Sequence, residues 1–359
     1  MGKKILLVRT HHPHWAQHSG YHQFIRYISP EEFVVKVQLV SMGDNHFPLS
    51  SCHVRGGLKY IIKKFGASAY ELNDFIAELS VMKRWWSRGF DLVHYLDGEH
   101  STLLLPLLFR IASLFRSVPP VIATYHQPPE MLSALLIKKA VRLLDHVVVF
   151  SEEQKTYFEQ FLPTHNISVI LHGVDADYYR PAARPKEPGK LRCISVGSWL
   201  RDYRSVIEVA KILESYADIE FHIVSSDLAK FDLPNNVYSH GRLDDVDLLR
   251  MYQESDVLFI PFLSATANNV LLEGIACGLP VVSSDLPAVK AYLPGKEAIL
   301  VKDNNHELLA RALLGLSLNR DRLVEMGIQA RQRSLELSWK NIVPQLESLY
   351  SELLSRCAK

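Results

Sequence analysis

Short apolar runs that stop at polar or glycine residues recur along this sequence, and they constrain its fold more than any other feature. Ile5-Leu6-Leu7-Val8 is the first. Unbroken apolarity over so few residues suits a strand covered on both faces of a parallel sheet, whereas a half-exposed strand would alternate. The same reading applies to residues 34–40, 91–96, 121–126, 146–150 and 167–171. It applies again to 191–196, 221–224, 237–238, 257–261, 280–283 and 298–301. Between these runs the spacing turns helical, as over 132–144 and 244–255, in a helix from Ser205, and in helices from about His306, Asp321 and Trp339. Strand and helix alternate throughout, the pattern of an α/β fold.

With 359 residues the chain is too long for one ordinary core and suits two domains. The alternation breaks at residues 181–189, a proline-rich stretch closed by Gly189 that reads as a linker. The expected division is therefore a first Rossmann-like domain over 1–171, a hinge and linker over 172–190, a second Rossmann-like domain over 191–338, and a helix over 339–359 packing back on the first. Hydrophobic residues at 48% and charged residues at 22% fit a soluble globular protein. A net charge of +1 provides no electrostatic case for nucleic acid. Cys52, Cys193, Cys277 and Cys357 show no paired spacing, which suits reduced thiols and no zinc site. The longest apolar segment, 102–115, is interrupted by Pro106 and Arg110 and is too short to span a membrane. A cytoplasmic protein is expected, with contact at the inner membrane face as an open reading.

The richest stretch is 265–285. Asn268 and Asn269 can start a helix as N-cap residues. Gly278 and Pro280 stop it, because glycine tolerates the left-handed terminus and proline cannot continue. A helix start presents unpaired N–H groups and partial positive charge, a ready phosphate site. Glu273 lies about a turn and a half inside at ~3.6 residues per turn, within reach of a sugar hydroxyl. An ordinary helix–strand unit with an exposed Glu is the plain alternative. The turn Gly197-Ser198-Trp199-Leu200-Arg201-Asp202-Tyr203-Arg204 precedes another helix. Arg201 and Arg204 suit a diphosphate, since guanidinium pairs two oxygens at once, and a capped turn with surface arginines fits as well. In the first half, His11, His12, His14 and His18 fall in a loop at the end of the first strand. Their spacing on irregular backbone fixes no tetrahedral metal geometry, so substrate contact or a plain loop is expected there. Asp97, Glu99, His100 and His126 follow two further strands, and His126 could orient or protonate a substrate group. It could equally be a hydrogen-bonded structural His. Lys59, Lys63 and Lys64 line one side of a helical pattern, and Lys83-Arg84-Trp85-Trp86 follows. That basic and aromatic face suits anionic lipid, or a solvated helix over an aromatic core.

Taken together these segments resemble the retaining glycosyltransferases of the two-Rossmann-domain (GT-B) type, family 4 in particular. His172-Gly173-Val174-Asp175 with Tyr179-Arg180-Pro181 looks like that family's hinge. Asn235-Asn236-Val237, Gly241 and residues 256–261 look like its second-domain strands, and 269–285 its best-marked segment. The resemblance implies an α/β chain of two Rossmann-like domains facing across a cleft, with the C-terminal helix returning to the first. It implies a nucleoside diphosphate sugar donor, UDP- or GDP-linked, no permanently bound cofactor and no metal. Glu273 matches the Glu that holds the donor ribose, and Asn269 and Val270 the helix start that receives the diphosphate, with Thr266, Ala267 and Asn268 beside them. Gly20 matches a glycine approaching the donor phosphate, and Gly241, Arg242 and Leu243 the segment contacting the base. His126 matches a His near the transferred sugar. His18, Tyr21, Asp97, Glu99 and His100 are acceptor-side candidates. Catalysis is expected from His126, Glu273 and Arg201.

The sequence departs from the pattern at Ala265, where the family's first motif Glu falls, and at Ser198 and Tyr203, where its Arg and Lys fall. Arg201 or Arg204 could substitute for the latter pair. The expected function is transfer of a hexose to a hydroxyl of a glycan, lipid-linked sugar or small molecule, with retention. The alternative is a catalytically degenerate GT-B protein that binds a glycan or a partner.

Overall fold

The structure, a computed structural model, describes residues 2–11, 17–41, 51–64, 70–183 and 189–357, without the side chains of 52, 63, 64, 101 and 357. His12 and His14 of the first loop, the side chains of Lys63 and Lys64, those of Cys52 and Cys357, and linker residues 184–188 lie outside the described residues.

The chain forms two compact units. Unit 1 comprises Met1–Trp15, Phe24–Leu171 and Ile342–Lys359, and unit 2 comprises Ala16–Gln23 and His172–Asn341. Among the described residues each contains a six-stranded, wholly parallel sheet. In unit 1 the strands are β1 Lys3–His11, β2 Phe33–Ser41, β3 Leu92–Tyr95, β4 Val121–Thr124, β5 His146–Val149 and β6 Ile167–Val169, in the order β2-β1-β3-β4-β5-β6. In unit 2 they are β7 Leu191–Val196, β8 Ile219–Val224, β9 Val237–His240, β10 Val257–Ile260, β11 Val281–Ser284 and β12 Ala298–Val301. Their order is β12-β11-β10-β7-β8-β9. β3, β4, β5, β10 and β11 are buried at every residue, which is why their sequences are continuous rather than alternating. The edge strand β2 instead exposes Val34, Val37 and Leu39.

Chain order reverses across each sheet between β1 and β3, and again between β7 and β10. A reversal of this kind opens a crevice at the carboxyl ends of the strands on either side, where ligands of open α/β sheets bind. The elements that follow those four strands are therefore the ones that matter.

Local signals account for the helix boundaries. Ser151 caps Glu152–Phe158 by accepting from Gln154 N, and Asn268 caps Asn269–Ala276 by accepting from Leu271 N at 3.2 Å. Gly278 adopts φ +79°, the left-handed conformation that ends the latter helix. The sequence reading differs from the structure at 132–144. Instead of one helix there are two short ones, Pro129–Leu135 and Lys138–Val141, with extended backbone at Leu136 and Ile137. Neighbouring positions on a helix diverge by about 100°, and here Leu136 and Ile137 pack into two different apolar clusters. The segment after Gly20 is a 3-10 helix, Tyr21–Tyr27.

His94, inside an apolar run, is wholly buried. Its two ring nitrogens each lie 2.7 Å from a hydroxyl, Tyr350 OH and Thr124 Oγ1. Burial pulls its pKa down to about 3, so it is neutral.

Candidate active site

The unit 2 crevice lies between the turn after β7 and the segment joining β10 to Asn269–Ala276. These two pieces of chain are stitched together. Asp202 N donates to Pro261 O at 3.0 Å and Leu263 N to Leu200 O at 3.0 Å, with a bridge between Arg201 and Phe262. The Arg201 guanidinium completes the link: Nε donates to Val196 O (3.0 Å), Nη1 to Trp199 O (2.9 Å) and Nη2 to Asn268 Oδ1 (3.1 Å), and its carbon lies 4.8 Å from the centre of the Phe262 ring. Withdrawal from water lowers its pKa to about 10, against the pull of Tyr203, Tyr252 and Glu273, so it stays charged.

Asn304 adds a second tie. Its Nδ2 donates to Asp202 Oδ2 (2.9 Å) and Phe262 O (3.0 Å), and its Oδ1 accepts from Ser284 Oγ (2.5 Å). Gly197 has φ +88° and receives the Tyr203 hydroxyl on its carbonyl. Tyr203 is thus committed to the turn, and exposed Ser198 lies with its Oγ 3.1 Å from Ser225 Oγ. Arg204 is exposed on the first turn of Tyr203–Ile212.

Thr266, Ala267, Asn268, Asn269 and Val270 are half-buried at the rim, and the following turn goes inside. Glu273 is 4% exposed. Its Oε2 accepts from Tyr252 OH at 2.9 Å and its Oε1 from Ser19 Oγ at 2.5 Å. Burial raises its pKa, and the two hydroxyl donors hold it back by favouring the charged form. A small pocket beside it is lined by His18, Gly20, Asp175, Asn269 and Leu272. Gly20 has φ +98°, and residues 16–23 belong to unit 2. Two acceptor-side candidates are therefore placed in unit 2. His18 Nδ1 lies 3.1 Å from Asp175 Oδ2 with its ring stacked on Tyr178 at 3.6 Å, and Tyr21, 4% exposed, packs edge-on to Trp339. Gly241 and Arg242 are exposed and Leu243 half-buried after β9.

In unit 1 the crevice is scaffolded by carboxylates. Asp97 Oδ2 accepts from Thr10 N at 2.8 Å, joining the ends of β1 and β3. Glu99 Oε1 accepts from the backbone N–H of His126 and of Gln127. Both carboxylates are buried, so their oxygens shape the strand ends. The His126 ring sits at the carboxyl end of β4, Nε2 2.6 Å from Leu96 O and 4.0 Å from Asp97 Oδ1, with Phe150 tilted at 5.1 Å. His100 lines a neighbouring pocket with Tyr70, Thr102 and Tyr125.

Sequence reasoning singled out Glu273 but none of its partners. Ser19 and Tyr252 lie 254 and 21 residues away from it, separations at which no spacing rule operates. Asn304 was missed too, and its φ of +47°, enriched in Asn, is visible only in the backbone. Among the described residues no group of three or more His, Cys, Asp or Glu could hold a metal ion, and no helix is long and apolar enough to cross a membrane.

Comparison with known proteins bears on this geometry. The family model described as "Glycosyltransferase Family 4" matches residues 35–178 and the one described as "Glycosyl transferases group 1" matches residues 195–319. A phosphatidyl-myo-inositol mannosyltransferase of Propionibacterium freudenreichii subsp. shermanii is 26% identical over 305 residues, taking in 80% of this chain and 77% of the relative. Among solved structures, sucrose-phosphate synthase from Thermosynechococcus elongatus superposes with a TM-score of 0.71 at 17% identity, over 99% of this chain and 100% of that one. Anabaena HepE, solved in complex with UDP-glucose, superposes with a TM-score of 0.66 at 14% identity, over 97% of this chain and 99% of that one.

Proposed function

We propose a specific transfer for this chain, which belongs to the family 4-type glycosyltransferases with the GT-B fold: a hexose moves from a UDP- or GDP-linked donor to a hydroxyl acceptor, with retention. One observation carries the donor side. A buried carboxylate, Glu273, lies about a turn and a half inside a capped helix start at the reversal point of the unit 2 sheet. The helix start offers N–H groups and partial positive charge to the diphosphate, while Glu273 takes ribose hydroxyls. As the donor bond breaks, negative charge grows on the leaving phosphate, and the helix start with Arg204 offsets it. Arg201 acts behind them by holding Asn268. The proton of the attacking hydroxyl passes to the leaving phosphate on the same face, and no step calls for a metal. On the acceptor side, His126 and His100 at the ends of β3 and β4 are the groups we assign to the acceptor hydroxyls.

A second reading has its own support. Ala265, Ser198 and Tyr203 stand where the family carries charged donor ligands, and Tyr203 is already bonded to Gly197 O. A chain that binds a glycan or partner without turnover would look like this. Nucleoside diphosphate release over a panel of UDP- and GDP-hexoses, with Glu273→Ala beside wild type, separates the two. Turnover abolished by Glu273→Ala supports the transferase, whereas no release and no donor binding at millimolar concentration sinks it.

We further place the enzyme at an anionic membrane surface. The helix Leu105–Ala112 buries Leu105 and Phe109 but exposes Leu107, Ile111 and, in the turn beyond it, Leu114 (77%) and Phe115 (85%). Trp86 is exposed as well, with the Arg116 guanidinium 5.6 Å from its ring centre, and Lys83, Arg84, Arg88 and Arg110 of the same two chain segments are exposed. Trp85, by contrast, is in the core. Exposed apolar side chains carried on segments with exposed cations suit an interface with negatively charged headgroups.

A further inference from the structure

The two oxygens of Glu273 have partners of different kinds. Oε2 accepts from Tyr252, which is wholly buried on the helix Asp245–Glu254. Leaving that oxygen without a donor would strand a buried polar group, so the bond is kept. Oε1 accepts from Ser19, half-buried in a short segment held by exposed or part-buried polar bonds, among them those of the buried Gln23 amide, whose Nε2 donates to Gln17 O at 2.9 Å and to Ser19 O at 3.4 Å. Gln17 N donates to Asp245 Oδ2 at 2.6 Å, and His18 leans on Asp175 and Tyr178. Bonds of that sort exchange with water at small net cost.

We propose that Glu273 is divided between a permanent anchor and a replaceable one. Tyr252 is a positioning residue that fixes the carboxylate. The Ser19 hydroxyl occupies on Oε1 the place that a ribose hydroxyl of the nucleoside diphosphate takes, so residues 17–20 form a strap that must lift when the donor enters. This rests on the donor-site reading above. The measured affinity is then the intrinsic affinity reduced by the fraction of molecules in which the strap is down. The two hydroxyls that bond one carboxylate therefore act on ligand binding with opposite signs, which a purely supportive role for both does not produce. The titratable or charged groups around the carboxylate are Tyr179, Tyr252, Asp245 and Arg201, with His18 and Asp175 lining the adjoining pocket. Burial already raises the Glu273 pKa, and loss of the Tyr252 donor raises it further.

The test is calorimetric titration of the full chain with UDP and with GDP between pH 5 and 8. Wild type is compared with Ser19→Ala and Tyr252→Phe, each checked for folding by thermal unfolding. Ser19→Ala is expected to bind about five-fold more tightly, and Tyr252→Phe about five-fold more weakly, the scale of one hydrogen bond. Tyr252→Phe also moves the acid limb of binding to higher pH. In wild type, hydrogen exchange over residues 17–20 rises when the nucleotide binds. If wild type binds and Ser19→Ala binds equally or more weakly, or exchange over 17–20 falls, the strap is wrong while the donor site stands. If Tyr252→Phe folds and leaves both affinity and pH limb unmoved, the anchor is wrong. Binding by Ser19→Ala alone supports both proposals, and binding by neither protein overturns both. Should Tyr252→Phe fail to fold, the Ser19 and exchange arms decide.

Discussion

Arg201 Nη2 donates to Asn268 Oδ1 at 3.1 Å, and the same oxygen accepts from Leu271 N, so one side-chain atom both caps a helix and receives an arginine 67 residues earlier in the chain. The turn after β7 and the start of the helix Asn269–Ala276 are thereby one piece. Asn268→Ala removes the cap and leaves a desolvated guanidinium N–H unmet, a loss of about 2 kcal/mol in stability. Arg201→Ala and the double variant complete a thermodynamic cycle. Strictly additive losses in urea unfolding would show that the pair is uncoupled.

Gly173 touches the face of Trp339. A Cβ added there would fall 2.5 Å from Trp339 Cε3, and the indole, 1% exposed, is hemmed by Tyr21 and His172. Gly173→Ala should cost about 1–3 kcal/mol, the usual range for overpacking, read as a lowered unfolding midpoint. Combining it with Trp339→Phe should recover part of that loss. No recovery would mean that the strain lies elsewhere.

Unit 1 holds two carboxyls whose pKa burial pushes up to about 7, Asp74 and Glu78. Glu78 accepts from Leu103, Leu104 and Leu105 N and from the Tyr70 hydroxyl. With the folded value raised, their contribution is complete below the unfolded carboxyl range and lost as pH rises through about 7. His94, lowered to about 3, works in the opposite sense, its contribution present above its unfolded value and lost on acidification. Between pH 6.5 and 8.5 the carboxyls titrate in the folded chain, and the tail of the unfolded-state His94 titration is common to wild type and Glu78→Gln and cancels between them. The wild type should lose about 1 kcal/mol more than Glu78→Gln over that interval. Parallel unfolding midpoints for the two proteins would rule this out.

The exposed Leu114 and Phe115 should insert at a lipid interface, each contributing about 2 kcal/mol. Sedimentation with phosphatidylglycerol vesicles should therefore carry the protein down, while phosphatidylcholine vesicles should not. Leu114→Glu with Phe115→Glu should abolish the effect and leave the unfolding midpoint within about 0.5 kcal/mol. Equal sedimentation of the variant and wild type would place the contact elsewhere.

Much of this architecture is legible in the sequence. Continuous apolar runs marked the buried strands because a parallel sheet is covered on both faces, and Asn268 and Gly278 marked helix ends because capping is a matter of neighbouring residues. The break at Leu136 and Ile137 was not legible, since two apolar clusters distant in sequence divide those side chains between them. Nor was the use made of Asp97 and Glu99. Their position after strands suggested ligands, while the folded chain spends their oxygens on the N–H groups of Thr10, His126 and Gln127.

The chemistry at the helix start divides in the same way. The sequence alone determined that a capped helix with an acidic residue about a turn and a half inside follows an apolar strand, because propensity, capping and periodicity act over a few residues. Only the tertiary structure decided that Arg201 is tied to Asn268, that Glu273 lies out of water between Ser19 and Tyr252, and that strand order reverses beside them. Hydrogen bonds and desolvation depend on distance in space, and the chain brings these groups together only when it has folded.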